Sequence, residues 1–416
     1  MMLQEGTLCE ISQRLANEAK TIGKIHLQHC LLNEDIIERL ISCLEEYPVH
    51  VLDLSYCRWD RQRDNMMESF LLLGNCLRQQ NVASHLRILD LSYLSTSHGN
   101  ILKLLEGLLE GASGGTGECP ALRQLHLRGT NLTGEDGGKT LAAVTKACRH
   151  LDVLNLASSR KLGSSGLAAF AQGLEDNTTK SGLREINLSA CLRDEDAAVV
   201  IQALANLPRL ETLILTRNLL GVASRAALTR LLETTRTLRS LKFGYHGTLL
   251  TCGNAQPFAA SLAASTVEAL DLSLYVAQPG CLRHILGTLP QHKSLQVLAI
   301  DCAALSLLMN VLPRFSSLHT LIIRGNFEWT ESVQKSFYEN QSLHQRIAVD
   351  ANFEQTCDLR ALVYRNRAID AWQKASQEER ATLIGLWPNI LFKMSGISAL
   401  AFSCSVDVIR RVLVES

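Results

Sequence analysis

The segment Gly134-Glu-Asp-Gly-Gly138-Lys139-Thr140 comes nearest to a catalytic motif in this 416-residue chain. It stands between an expected strand and an expected helix, where glycine amides can cradle a phosphate. A Walker A loop needs four residues between its first glycine and Gly-Lys-Thr, and here there are three. Glu135 and Asp136 would also repel a phosphate, so the segment reads as a turn. His26-x-x-His29-Cys30 has the residue types of a metal site. Strand alternation, however, turns His26 outward and Cys30 inward, and no acid stands beside them, so no Zn²⁺ site is expected. The thirteen cysteines include no Cys-x-x-Cys pair, which suits free thiols in a reducing compartment better than a disulfide framework. No Ser-His-Asp signature, glycosidase-like carboxylate pair or kinase motif set is present. The expectation is a protein without enzymatic activity, cofactor or metal.

Composition narrows the classes further. Hydrophobic residues make up 46% of the chain, enough for an extensive core, and 41 basic residues balance 41 acidic ones. No global field therefore draws the chain to nucleic acid or to an anionic membrane. The first twenty residues intersperse Glu5, Glu10, Arg14 and Glu18 among apolar positions, unlike a secretory signal. Leu383 to Phe402 has the length of a membrane span but is broken by Pro388, Asn389, Lys393 and Gly396. It reads as buried helices, because mid-span proline and lysine are both disfavoured in a bilayer. The reading is a soluble, cytoplasmic protein with no membrane span and no nucleic-acid partner.

The element that positions everything is a repeat. The frame L-x-x-L-x-L recurs at Leu86/Leu89/Leu91, Leu122/Leu125/Leu127, Leu151/Leu154/Leu156, Leu183/Ile186/Leu188, Leu210/Leu213/Leu215 and Leu238/Leu241/Phe243. Val267/Leu270/Leu272, Leu295/Leu298/Ile300 and Leu318/Leu321/Ile323 continue it, and Ile22/Ile25/Leu27 and Val49/Leu52/Leu54 precede it. A worn twelfth frame starts at Leu343. Apolar residues at positions one, four and six place a short strand whose inward side chains share a core. Position nine (Cys30, Cys57, Cys191, Asn218, Asn326) can satisfy backbone groups where the chain turns. Helical spacing follows each strand, as in Glu195 to Leu207 and Ser224 to Thr234, with Asp194 and Ser224 at expected N-caps.

Most strand starts lie 27 to 32 residues apart. This spacing, with Cys or Asn at position nine, resembles the ribonuclease-inhibitor type of leucine-rich repeat over Ile22 to Val349. The resemblance implies an α/β leucine-rich-repeat solenoid, with a curved parallel β-sheet on the concave side and helices on the convex side. Residues 1–21 are then an N-terminal helical cap, 22–351 the solenoid of 11 to 12 repeats, and 352–416 a helical C-terminal cap or small module. The run Gly385-Leu386-Trp387-Pro388, followed by Arg410-Arg411, is similar to tails of protist and intracellular-bacterial repeat proteins. If the chain is such a bacterial effector, its destination is a host cytosol. Repeat effectors that are ubiquitin ligases use a Cys-x-Asp nucleophile. Cys357-Asp358 lacks the intervening residue, and no histidine follows His344 to serve Cys357 or Cys404 as a base.

The expected function is a non-enzymatic scaffold that binds a protein partner on the concave face. The alternative is a recruiter whose residues 352–416 carry an effector or enzymatic activity. Strand residues at positions three, five, seven and eight are read as free of core duty. Tyr56 and Tyr93 share position eight, Asp53 and Asp90 share position five, and Trp59 lies in the inserted run Arg58-Trp59-Asp60-Arg61-Gln62-Arg63-Asp64. With Arg128, Arg217 and Tyr245 they form the candidate partner-binding set, since aromatic residues and arginine dominate interface hot spots. An acidic row beside an aromatic row calls for a partner that offers Lys or Arg around an apolar surface. A second polar excursion, Gly111-Ala-Ser-Gly-Gly-Thr-Gly117, is the other loop that such repeats place near a binding side.

Overall fold

The computed structural model describes residues 20, 23–59, 66–109, 122–176, 181–244, 255–273, 279–324 and 346–349. The expected N-terminal cap (all but Lys20), residues 352–416, Tyr245, Asp60 to Asp64 and Gly111 to Gly117 lie outside them. The chain divides into two compact units, Met1–Leu238 and Arg239–Ser416.

In the first unit, seven strands form a parallel sheet: β1 (Lys24–His26), β3 (Val51–Asp53), β5 (Ile88–Asp90), β6 (Gln124–His126), β7 (Val153–Asn155), β8 (Glu185–Asn187) and β9 (Thr212–Ile214). Register follows the sequence frame. Ile25, Leu52, Leu89, Leu125, Leu154, Ile186 and Leu213, all at position four, stand opposite one another and are buried. Position six is equally buried, from Leu27 to Leu215. Alternation puts positions three and five on the other face. A two-stranded parallel sheet, β2 (Leu31–Leu32) with β4 (Arg58–Trp59), extends the first two repeats beyond their turns.

Helices return the chain between strands: Glu34–Glu46, Met66–Arg78, His98–Leu109, Gly134–Ala147, Gly163–Glu175, Asp194–Leu204 and Val222–Thr234. Each buries an apolar stripe, for example Ile36, Ile37, Leu40 and Leu44 in the first. Asn33 caps that helix, its Oδ1 accepting from Ile36 N at 2.9 Å. Asp194 caps the helix of the repeat that follows its own. Its carboxylate accepts from Gly221 N at 2.7 Å, Ser224 N at 2.8 Å and Ala223 N at 3.1 Å, and from the Ser224 hydroxyl at 2.5 Å. Ser224 is thus the third residue of its helix and not the N-cap.

The second unit continues the pattern with β10 (Ser240–Lys242), β11 (Ala269–Asp271), β12 (Val297–Asp301), β13 (Thr320–Arg324) and β14 (Arg346–Val349), again parallel and in this order. Return elements shorten here, down to the five-residue helix Leu305–Met309. β14 pairs so that Ile347 faces Leu321. The twelfth frame therefore starts one residue after Leu343. A start at Leu343 would have placed Arg346 at the core position, and a one-residue slip exchanges the two faces of a strand.

Leu215→Asp should unfold the first unit, because it forfeits about 1.5–3 kcal/mol of burial and adds an unpaired charge to a core shared between repeats. Lys139→Ala should melt with wild type, since Lys139 pairs with Glu135 at 2.6 Å on an exposed surface, where such a pair contributes little. Equal melting of both variants would refute the register. For Asp194, burial pushes the carboxyl up, but bonds from Ser224, Ala223 and Gly221 outweigh it and hold it below the usual range. Its contribution is then complete above the unfolded-state value and fades as pH falls through the folded one. Asp194→Ala should cost about 1–2 kcal/mol at neutral pH, with a difference from wild type that narrows in acid. A difference that widens in acid would contradict this assignment.

Candidate functional site

Each strand of the first unit ends in the same turn, and that turn builds the site. In five repeats the position-nine N–H donates to the position-six carbonyl: Cys30 to Leu27, Cys57 to Leu54, Leu94 to Leu91, Thr130 to Leu127 and Ser159 to Leu156, at 3.1–3.3 Å. Position eight between them has positive φ throughout: His29 61°, Tyr56 59°, Tyr93 55°, Gly129 63°, Ser158 63°, Ala190 58° and Arg217 60°. This is the arrangement of a type II turn, whose third residue is ordinarily glycine. A non-glycine residue there costs roughly 1–2 kcal/mol. The N–H of position eight in turn donates to the position-seven carbonyl of the next repeat, as from Tyr56 to Ser92 at 2.8 Å and Tyr93 to Arg128 at 2.6 Å. The strained corner is thereby a rung of the inter-repeat ladder.

Position nine secures the inside of the turn as expected. Cys57 Sγ donates to Leu27 O at 2.7 Å and Cys191 Sγ to Leu188 O at 2.8 Å. Asn218 donates to the Leu188 and Leu215 carbonyls, both at 2.9 Å, and accepts from the amides of Cys191 and Leu192 at 2.9 and 2.8 Å. Burial pushes the Cys57 and Cys191 thiols up to about 12, which leaves them protonated and poor nucleophiles.

Because position eight points its side chain outward along the turn, consecutive repeats stack what they carry there. His29 lies on Tyr56 with ring centroids 4.9 Å apart and planes at 18°. Tyr56 lies on Tyr93 at 4.8 Å and 24°. The Arg128 guanidinium covers the far face of this row, 5.3 Å from the Tyr93 centroid. Gly129, next at position eight, leaves space for the Tyr93 ring: a Cβ on it would sit 2.4 Å from Tyr93 Cε1. Each stacked pair contributes about 0.5–1.5 kcal/mol and the cation–π contact about 0.5–1 kcal/mol, which offsets the strain of a tyrosine at positive φ. The product is a rigid, partly exposed ridge, with Tyr56 45% accessible.

Other members of the candidate set are placed elsewhere. Trp59 is a core residue, 6% exposed and packed on Phe70 at 5.4 Å; it is not available as a hot spot. In β4 it follows the exposed Arg58, and strand alternation turns it inward. Asp53 is 6% exposed. Its carboxylate accepts from Ser55 N at 2.9 Å and Gln28 Nε2 at 2.5 Å, and His26 Nδ1 lies 3.4 Å away. Burial pushes this carboxyl up, but those bonds prevail and hold it below the usual range. Asp90 likewise accepts from Ser92 N at 2.8 Å. Asn155, Asn187 and Asp271 repeat the contact with Ala157 N, Ser189 N and Ser273 N at 2.9–3.1 Å. Position five is therefore a turn brace in these repeats rather than a free surface residue. Arg217 is exposed at position eight but four repeats beyond Tyr93, about 19 Å at strand spacing. Tyr245 lies outside the described residues. Sequence reasoning missed His29 and Gly129 as parts of the ridge, although both stand at position eight.

The other candidates for chemistry are absorbed by the fold. His29 is in the ridge, and among the described residues no cluster of three His, Cys, Asp or Glu side chains could hold a metal. Gly138 packs its backbone on the neighbouring helix, where a Cβ would lie 2.0 Å from Gly166 O. Gly134 has open space where a Cβ would stand and instead supplies a positive φ of 61° at the start of its helix.

No family model matches the chain, and no curated protein matches it. Among solved structures, actin-binding site 2 of leiomodin-1 matches at 21% identity over 35% of this chain and 82% of its own, with a TM-score of 0.29. An internalin (inlF) of Listeria monocytogenes matches at 15% identity over 82% of this chain and 93% of its own, with a TM-score of 0.38. Neither likeness carries weight at these scores. In the first unit, parallel three-residue strands in register are each followed by a turn and a helix, the α/β pattern expected of a leucine-rich-repeat solenoid.

The ridge yields its own prediction. Gly129→Ala should push Tyr93 off Tyr56, costing about 1–3 kcal/mol and altering the near-ultraviolet circular dichroism of the tyrosines. An unchanged spectrum would mean that the stack does not exist in solution.

Proposed function

We propose that this protein is a non-enzymatic scaffold that binds another protein on the strand face of its N-terminal repeats, the face expected to be concave. The observation that carries the reading is the His29–Tyr56–Tyr93 row, stacked, capped by Arg128 and held on turns that the sheet itself braces. Side chains already ordered in this way lose little entropy on binding. Tyrosine and arginine are the residues that dominate interface energetics. Helix length and position nine favour the ribonuclease-inhibitor type of repeat. Cys43, Cys57, Cys76, Cys191 and Cys302 are in no disulfide, which suits a cytoplasmic setting. No helix among the described residues is long and apolar enough to cross a membrane.

The test is affinity capture followed by titration of the captured partner. Tyr56→Ala with Tyr93→Ala should weaken binding by at least about 2 kcal/mol, close to thirtyfold in Kd, in a variant that stays folded at the assay temperature but melts lower by the lost stacking. Ser158→Ala with Thr216→Ala should leave it within about threefold. A partner bound equally by both double variants would place recognition off the ridge.

A further inference from the structure

The charge available around the ridge is the opposite of what the sequence suggests. Positions one to eight of the first four repeats carry two carboxylates, Asp53 and Asp90, and four strong cations, Lys24, Arg87, Arg123 and Arg128. Both carboxylates serve as turn braces, the buried Asp53 with three hydrogen-bonding neighbours and the half-buried Asp90 on Ser92 N. Arg123 is bound to Asp152 of the fifth repeat at 3.3 Å. Lys24, Arg87 and Arg128 are exposed and have no carboxylate partner among the described residues. His26, His29, His50 and His126 lie among them, with half-buried Val51 and Ile88 between.

Repeats five to seven differ. There Asp152, Glu185 and Glu211 meet Arg184 and Arg217 over the same positions. Arg184 binds Asp152 at 3.8 Å and Glu211 at 3.2 Å, so charge is largely cancelled within the sheet. The uncompensated positive field is thus confined to the repeats that carry the ridge.

We propose that this face docks an acidic protein segment, with apolar side chains along the His29–Tyr56–Tyr93 ridge and carboxylates at Lys24, Arg87 and Arg128. The proposal rests on the ridge being the binding surface and adds the chemistry of its partner. Nucleic acid fits less well. Single strands are held by stacking bases on free aromatic faces, whereas Tyr56 is stacked between His29 and Tyr93, and Tyr93 also carries Arg128. Three separated cations are also few for a polyphosphate that carries a charge every few ångströms. The patch covers about 15 Å across four strands and about 20 Å along them, the reach of a short extended segment.

The experiment uses the full chain and three fluorescent peptides of about ten residues, enough to cross four strands. They match in phenylalanine and proline content, and their remaining positions are Glu, Ser or Lys. Anisotropy should rank Glu-rich over Ser-rich by at least about tenfold and over Lys-rich by more, with affinity falling as salt screens the exposed charges. Lys24→Glu with Arg87→Glu, two exposed cations outside the ring stack, should abolish or reverse the preference with little change in Tm. Tyr56→Ala with Tyr93→Ala should weaken the Glu-rich peptide as well. Equal binding of Glu- and Ser-rich peptides, lost on the tyrosine substitutions, would overturn the acidic preference and leave the ridge as a binding surface. Failure of all three peptides to bind overturns the acidic segment as occupant, and the reading of the ridge then falls or stands on captured partner alone. Tighter binding of oligothymidylate or of phosphatidylserine vesicles, lost in the charge-reversal variant, would assign the patch to another class of partner.

Discussion

A left-handed residue closes each strand of the first unit, and the rest of the surface is arranged around it. With positive φ at position eight, the chain leaves the sheet sharply enough for position nine to turn inward and the helix to begin beside the core. The same geometry sends the position-eight side chain outward, one strand spacing from its neighbours. Stacking follows wherever two consecutive repeats carry rings, and it fails where they carry Ser158, Ala190 or Arg217. Strain of roughly 1–2 kcal/mol per corner is tolerable because the corner also donates a ladder hydrogen bond to the next repeat, worth a similar amount.

This division of labour explains why the two acidic residues beside the tyrosines are not surface groups. A strand of three residues has little backbone pairing of its own, and the amide at position seven faces a turn. Asp or Asn at position five supplies the missing acceptor. Asp53 stays ionised, its carboxyl held below the usual range, but its oxygens are committed to Ser55 and Gln28. His26 and His126 stand at the same position in the frame and keep half-exposed rings on that face.

Strand positions, core residues and the role of position nine were legible in the sequence, because a period repeated in register leaves few alternatives. Leu188 and Leu215 lie where the frame puts them. Position eight was legible as a row but not as a strained corner. Glycine is the usual sign of positive φ, and Gly129 alone carries it among seven turns. Trp59 was misplaced because its polar neighbours read as a loop, whereas Arg58 and Trp59 form a strand whose alternation hides the indole. Asp53 was misplaced because a carboxylate on the outer face of a strand is solvated unless a local amide claims it, and that depends on turn geometry rather than on residue type. Gly138 looked like part of a phosphate loop because close helix packing and phosphate binding both demand the absence of a side chain.

The account turns on whether Asp53 and Asp90 are braces or ligands, and replacing both with asparagine separates the two. Asparagine keeps the acceptor oxygen, as Asn155 and Asn187 do in later repeats, and the exposed Gln28 amide can rotate to meet its new donor. Titrating the partner or the Glu-rich peptide against Asp53→Asn with Asp90→Asn, alongside a thermal melt, is the most direct measurement. A Tm near that of wild type and an affinity that is equal or higher are the expected results, since turn and ridge survive while two negative charges leave the patch. Loss of binding in a normally folded variant would contradict the account and return those carboxylates to the recognition site.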